Sequence, residues 1–264
     1  GESLLLVKPD GETVADQIEF PEQRVDVSYG YNAVSSEIGF LRSPSPGEEN
    51  GEIAAQIANE VIFSHRRGYY ESAFNLELSS TIPGSVIRYT TNGSKPSGSS
   101  GSVYDGPIRV SPSSVSTTRG TRILRAISIH STAAISPVSS HTYIWVNGTN
   151  NPQANGVVGQ SQFRSTIDNH PTYGPLMDDG LLALPAISII KPSGMGGSEG
   201  EGSLELISID GTEPGFGIDC GMKIVGGASV GSPKNNFRCY FRSEYGASKL
   251  RYPLFANHPY TNGA

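Results

Sequence analysis

Hydrophobic and polar positions alternate in short runs along much of the chain. Phe74, Leu76 and Leu78 interleave with Asn75, Glu77 and Ser79, and Ile87 and Tyr89 interleave with Arg88 and Thr90. A period of two sends successive side chains to opposite faces, so each run predicts a strand with one buried face. Ile123, Ile127 and Ile129 mark a third strand, and Tyr143 with Trp145 a last one. Thr91-Asn92-Gly93-Ser94 is a turn between them, because Asn-Gly accommodates positive φ. The pattern places Phe74, Leu76, Leu78, Ile87, Tyr89, Ile127, Ile129 and Tyr143 inside, and Asn75, Glu77, Arg88 and Thr90 outside.

Strands recurring with Gly, Pro and Ser punctuation over residues 63–146 fit an immunoglobulin-like β-sandwich. Before it, Leu4 to Val7 reads as a strand, Pro9-Asp10-Gly11 as a turn and Val14 to Phe20 as the returning strand. Arg42-Ser43-Pro44-Ser45-Pro46-Gly47 ends that unit at about residue 50, since two prolines remove donors and fix φ. Ile53, Ile57 and Val61 form a helix-like stripe within residues 51–62, too short for a stable helix, so this segment reads as a linker. Residues 147–183, rich in Asn, Gln, Gly and Pro, read as an extended linker packing on its neighbours. Strands return from Pro185 at Ile187 to Ile190, Leu204 to Ile209, Gly217 to Val225 and Phe237 to Arg242.

Composition sharpens the class. The 264 residues include 32 Gly and 18 Pro, both poor in helix interiors, and only 17% are charged. A mainly β fold with thin cores follows. The net charge of −6 and pI of about 5.4 argue against nucleic acid, whose binders carry a basic face. No apolar run approaches the roughly 18–20 residues of a membrane-spanning helix. The chain begins at Gly1 with no signal-peptide pattern, which reads as a processed or excised segment.

Three stretches resemble families that occur together in long extracellular bacterial proteins. Asp16-Gln17-Ile18-Glu19-Phe20-Pro21-Glu22-Gln23 with Asp26-Val27-Ser28-Tyr29-Gly30 and Ser45-Pro46-Gly47-Glu48-Glu49-Asn50 is similar to the end of a lamin-tail domain, covering residues 1–50. In that family a Pro-Gly-x-x-Asn closes an immunoglobulin-like fold. Pro83-Gly84-Ser85-Val86-Ile87-Arg88-Tyr89-Thr90-Thr91-Asn92-Gly93-Ser94-Lys95-Pro96, Tyr104-Asp105-Gly106-Pro107-Ile108 and Arg125-Ala126-Ile127 resemble the chitobiase/hexosaminidase C-terminal module over residues 63–146. That resemblance implies a small sandwich without catalytic residues. Cys220-Gly221-Met222-Lys223-Ile224-Val225-Gly226-Gly227-Ala228-Ser229, Pro233-Lys234-Asn235-Asn236-Phe237-Arg238 and Phe241-Arg242-Ser243-Glu244-Tyr245-Gly246 resemble the beginning of a CotH domain over residues 184–264. It implies a partial α+β region from a family that includes atypical protein kinases. The acidic residues that hold metal in that family lie further downstream, so none maps here. Where the family commonly has two lysines, this chain has Lys234-Asn235.

Other chemistry is sparse. Gly226-Gly227-Ala228-Ser229 with Lys234 is a candidate phosphate cradle, but it lacks the Walker spacing and equally describes a hairpin turn. Asp178-Asp179 suits calcium or a solvated turn, and the five histidines have no ligand spacing. No Gly-x-Ser-x-Gly elbow sits between a strand and a helix. Tyr69, Tyr70, Tyr89, Tyr104 and Trp145 fit either a sugar platform or a core. The only thiols, Cys220 and Cys239, are about equidistant from a turn centred near Ser229 to Val230 and roughly opposite, as a disulfide or as two buried thiols.

The expected protein is a non-catalytic structural or interaction segment of a secreted or cell-surface protein, with no cofactor. Its expected partners are other protein modules, copies of itself or polysaccharide, with neither nucleic acid nor a membrane span. A fragment of a CotH-like kinase and a carbohydrate-binding module are the alternatives.

Overall fold

The computed structural model describes residues 2–23, 27–113, 120–146, 170–191, 198–209, 215–227 and 236–253. The first alternating runs form an antiparallel ribbon of β1 (Glu2–Val7) and β2 (Val14–Phe20). The turn between them is set by Asp10, whose carboxylate accepts from the backbone N–H groups of Glu12 and Thr13 and from the Thr13 hydroxyl. Gly11 sits there at φ +76°, which a side chain rarely adopts. Every residue of β1 is exposed, Leu4 and Leu6 at 65% each. A second hairpin pairs β3 (Tyr29–Tyr31) with β4 (Ile38–Phe40). Asn50 closes it: its amide donates to the Tyr31 carbonyl at 2.9 Å and its carbonyl accepts the Ser45 hydroxyl at 3.0 Å.

The helix-like stripe in residues 51–62 is extended backbone. Ile53 bridges Leu41, and β5 (Gln56–Ile57) adds in parallel to a later strand. A spacing of four is also an even number, so Ile53, Ile57 and Val61 share a face of an extended chain as well as of a helix.

The central region contains β6 (Ile62–Phe63), β7 (Gly68–Tyr69), β8 (Phe74–Leu76), β9 (Leu78–Ser79), β10 (Val86–Thr90), β11 (Ser102–Val103), β12 (Ile108–Val110), β13 (Thr121–Ile129), β14 (Ala133–Ala134) and β15 (Ser139–Ile144). One layer is a five-stranded sheet in the order β11-β10-β13-β15-β7, and the ladders β12-β8 and β6-β9 make the other. Between them lies the core, with Val61, Phe63, Leu76, Leu78 and Val110 from one side and Ile87, Leu124, Ala126, Tyr143 and Trp145 from the other. The polar ends of its large aromatics are satisfied. Tyr143 donates to the His65 carbonyl at 3.0 Å, and Trp145 Nε1 to the Ser72 carbonyl at 3.1 Å. Phe74 and Tyr89 are half-buried and pack against this cluster.

The register corrects two of the expected inward positions. Ile87 pairs with Ser128 and Tyr89 with Ala126, so Leu124, Ala126 and Ser128 share their face. Ile127 pairs with Arg88 and Ile129 with Val86, which puts both isoleucines on the opposite face. Ile127 is nonetheless buried, as is every residue from Leu124 to Ser128. A strand covered on both faces loses the alternation that would reveal its inside.

The cover comes in part from the C-terminal region. A short 3₁₀ turn, Gly174–Leu176, leads into α1 (Met177–Leu182), whose first turn carries Asp178 and Asp179; burial, and then Asp179 beside it, raise the Asp178 carboxyl. There follow β16 (Ala186–Ile190), β17 (Gly200–Ile207), β18 (Phe216–Val225) and β19 (Asn236–Tyr240), an antiparallel sheet in sequence order. The fold is mainly β, and no helix of the described residues is long and apolar enough to cross a membrane.

Candidate functional site: a polar seam between two sheets

Alternation along β13 and β15 sends Arg125, Ser140, Thr142 and Ile144 away from the sandwich core. Alternation along β17 and β18 likewise sends Ser203, Glu205, Ile207 and Asp219 to one face. The two faces meet. Arg125, 2% exposed, is consumed by the contact: its Nη2 donates to Asp219 Oδ1 at 2.9 Å, its Nη1 to the Gly93 carbonyl at 3.2 Å and its Nε to Ser140 Oγ at 3.0 Å. Glu205 is fully buried and accepts a hydrogen bond from Thr142, whose hydroxyl also lies 2.8 Å from that of Ser188. Arg67 Nε stands 3.3 Å from Glu205 Oε1, close enough for an ion pair but not aligned for a hydrogen bond, and Arg67 Nη1 makes none either. At the rim Lys95 Nζ and Glu201 Oε1 are 2.9 Å apart. The apolar end of the seam gathers Ile144, Val146 and Ile207, with Tyr69, Met177, Leu181 and Ala186 packed against them.

Burial governs the electrostatics. It pushes the Glu205 carboxyl up to about 7, against the partial compensation of Arg67, Thr142 and Arg125. Asp219 is raised by the same cause and lowered in part by Arg125. His141 is lowered to about 4, first by burial and then by the Arg67 guanidinium, so it is neutral here. Asp219 and His141 border a cavity of about 180 Å³ that Glu60, Arg67, Ser139 and Tyr245 also line. The Ser139 hydroxyl is buried without a protein partner. A polar cavity of this size accommodates several waters.

Gly217 shows how closely the sheets approach, since a Cβ there would lie 2.3 Å from Arg67 Nη1. A side chain there would oblige the Arg67 guanidinium to move away from its place beside Glu205. None of the polar seam residues stood out as a site in the sequence. The signal that could have marked one of them is a charged residue inside an otherwise apolar strand run, as at Arg125.

The residues singled out from sequence fall elsewhere. Lys234, Ala228 and Ser229 lie outside the described residues. The five aromatics form no sugar platform: Trp145 is core, Tyr70, Tyr89 and Tyr104 pack against that core, and Tyr69 joins the apolar end of the seam. No group of three or more His, Cys, Asp or Glu residues among those described is placed to hold a metal. Cys220 and Cys239 are free thiols on adjacent strands, offset by two residues from direct opposition because Met222 pairs with Cys239.

A family model described as Fn3 associated matches residues 76–143, from β8 into β15. No curated protein and no solved structure matches the chain. The match covers the central sandwich, and modules of this kind are typical of extracellular proteins. It gives that sandwich a coarser description than the chitobiase resemblance, and its range does not reach residues 1–50 or 184–264.

Proposed function

We propose that the chain is a non-catalytic structural segment of a bacterial protein displayed or secreted outside the cell, in which the central sandwich and the C-terminal sheet act as one rigid spacer. The observation that carries this reading is the seam itself. Arg125 and Asp219 are engaged with each other across two sheets, and burying such groups is tolerable only where they are paired. The Fn3-associated match supports the extracellular setting. The finer identities are part of the proposal. Residues 1–50 are the end of a lamin-tail-like domain, in keeping with Asn50 closing the β3–β4 hairpin. Residues 184–264 are the opening of a CotH-like domain, in keeping with strands over residues 220–225 and 236–238 within its motifs. Adhesion, display and assembly are the roles such a spacer serves.

The test follows two reporters through thermal unfolding in the presence of reductant. Trp145 fluorescence reports on the sandwich, and alkylation of the buried Cys220 reports on the C-terminal sheet. Coincident transitions are expected, shifting down together in Arg125→Glu and recovering in part when Asp219→Arg is added. Separate transitions in the native chain overturn the single-spacer reading. Calorimetry with ATP and magnesium is expected to give no saturable heat, and phosphate transfer to any test protein would overturn the non-catalytic assignment.

A further inference from the structure

Strands β18 and β19 pair with Gly221 opposite Tyr240, Met222 opposite Cys239 and Lys223 opposite Arg238. Cys220 stands two residues from Met222 on the same strand, so it shares a face with Cys239 and is its diagonal neighbour. The two thiols are near enough for each to act on the other's titration. They differ in access, since Cys220 is fully buried and Cys239 half-exposed. Among the described strands, β19 pairs only with β18, which leaves it a sheet edge. Edge strands are the parts of sheets most prone to detach or to pair wrongly.

We propose that Cys220 and Cys239 are a covalent cross-linking site, at which an external disulfide oxidises the thiol pair to an intrachain bond fastening β19 to β18. Cys239 is the entry point. The neighbouring Cys220 holds the Cys239 thiol below its ordinary range, whereas Cys239 and burial raise Cys220. The Cys239 thiolate attacks one sulfur of the external disulfide and expels a thiolate, leaving a mixed disulfide. Cys220 then gives up its proton and attacks the Cys239 sulfur, expelling the second thiolate. The two protons lost from the cysteines end on the two released thiols, and the external disulfide takes up both electrons. Diagonal partners stand further apart than a relaxed disulfide prefers, so closure draws the two strands together at this point.

The inference stands apart from the seam, which lies on the other face of β18. Its test uses the whole chain with oxidised glutathione as the oxidant, followed by alkylation, intact mass and peptide mapping without reductant. The expected product takes up no alkylating agent, is lighter by two hydrogens and yields a peptide joining Cys220 to Cys239. Reduction should then lower the melting midpoint by about 5–10 °C, as expected for releasing a loop of about 20 residues. Cys220→Ala should instead accumulate glutathione on Cys239, and Cys239→Ser should stop the reaction at both sites. A wild-type chain that keeps a stable glutathione adduct, or whose two thiols remain alkylatable after oxidation, overturns the proposal. Cys239→Ser, at the half-exposed position, keeps the test decisive if the buried variant fails to fold.

Discussion

Glu205 lies in β17 with no solvent contact, and its carboxyl titrates near 7 because burial penalises the charged form more than Arg67 and Thr142 favour it. The folded chain therefore holds a proton there that the unfolded chain gives up near the ordinary value of 4.5. Folding stability from this group is complete below about 4.5 and is lost as pH rises through about 7. His141 acts in the opposite sense, its contribution fading as pH falls from 6.5 toward about 4. Comparing the native chain with Glu205→Gln cancels the histidine. Between pH 5 and pH 8 the native chain should lose on the order of 2–3 kcal/mol relative to the variant, read by urea unfolding at each pH. A difference that does not change with pH would contradict the buried, proton-sharing carboxyl. None of this was legible in the sequence, where Glu205 reads as the polar position of an alternating strand.

At the scale of elements, β10 behaves as its alternation predicts, with Ile87 buried and Tyr89 packed on the core. β8 and β9 do so too: Leu76 and Leu78 are in the core while Glu77 is exposed. β13 does not, because the C-terminal sheet covers part of its second face and hydrophobic positions there no longer mark the inside. Register is a property of two strands, and nothing local in Ile123 to Ile129 says which neighbour it will meet. Leu76→Ala should cost about 2–5 kcal/mol in urea unfolding, and Ile127→Ala a comparable amount from the opposite face. Thr90→Ala, at a half-buried position beside the Asn92-Gly93 turn, should cost well under 2 kcal/mol. If Ile127→Ala were as mild as Thr90→Ala, the two-sided burial of β13 would be wrong.

Across the whole molecule, longer strands such as β2, β10 and β18 could be read from period and punctuation, but short ones such as β3, β4 and β12, and the docking of the sheets, could not. Reading residues 63–146 as a sandwich treated Arg88 and Thr90 as an outer surface, yet Arg125 on that same face is among the most buried residues. Removing the C-terminal sheet would leave Ile144, Val146 and Arg125 facing water, with Arg125 stripped of Asp219. A chain ending at Val146 should therefore melt well below the intact protein, by roughly 5 °C or more in a calorimetric scan, since several kcal/mol of buried contact is lost. An unchanged midpoint would show that the seam contributes no stability.

The ribbon of β1 and β2 has the opposite situation. Among the described residues each strand has only the other as a pairing partner, and β1 is wetted on both faces, whereas two-stranded ribbons are marginal in water. Its amide protons should therefore trade with deuterium orders of magnitude faster than those of β13, which is flanked by strands on both edges. A dilute protease should cut first near Lys8, and the fragment beginning beyond Phe20 should keep the Trp145 fluorescence and the melting behaviour of the remainder.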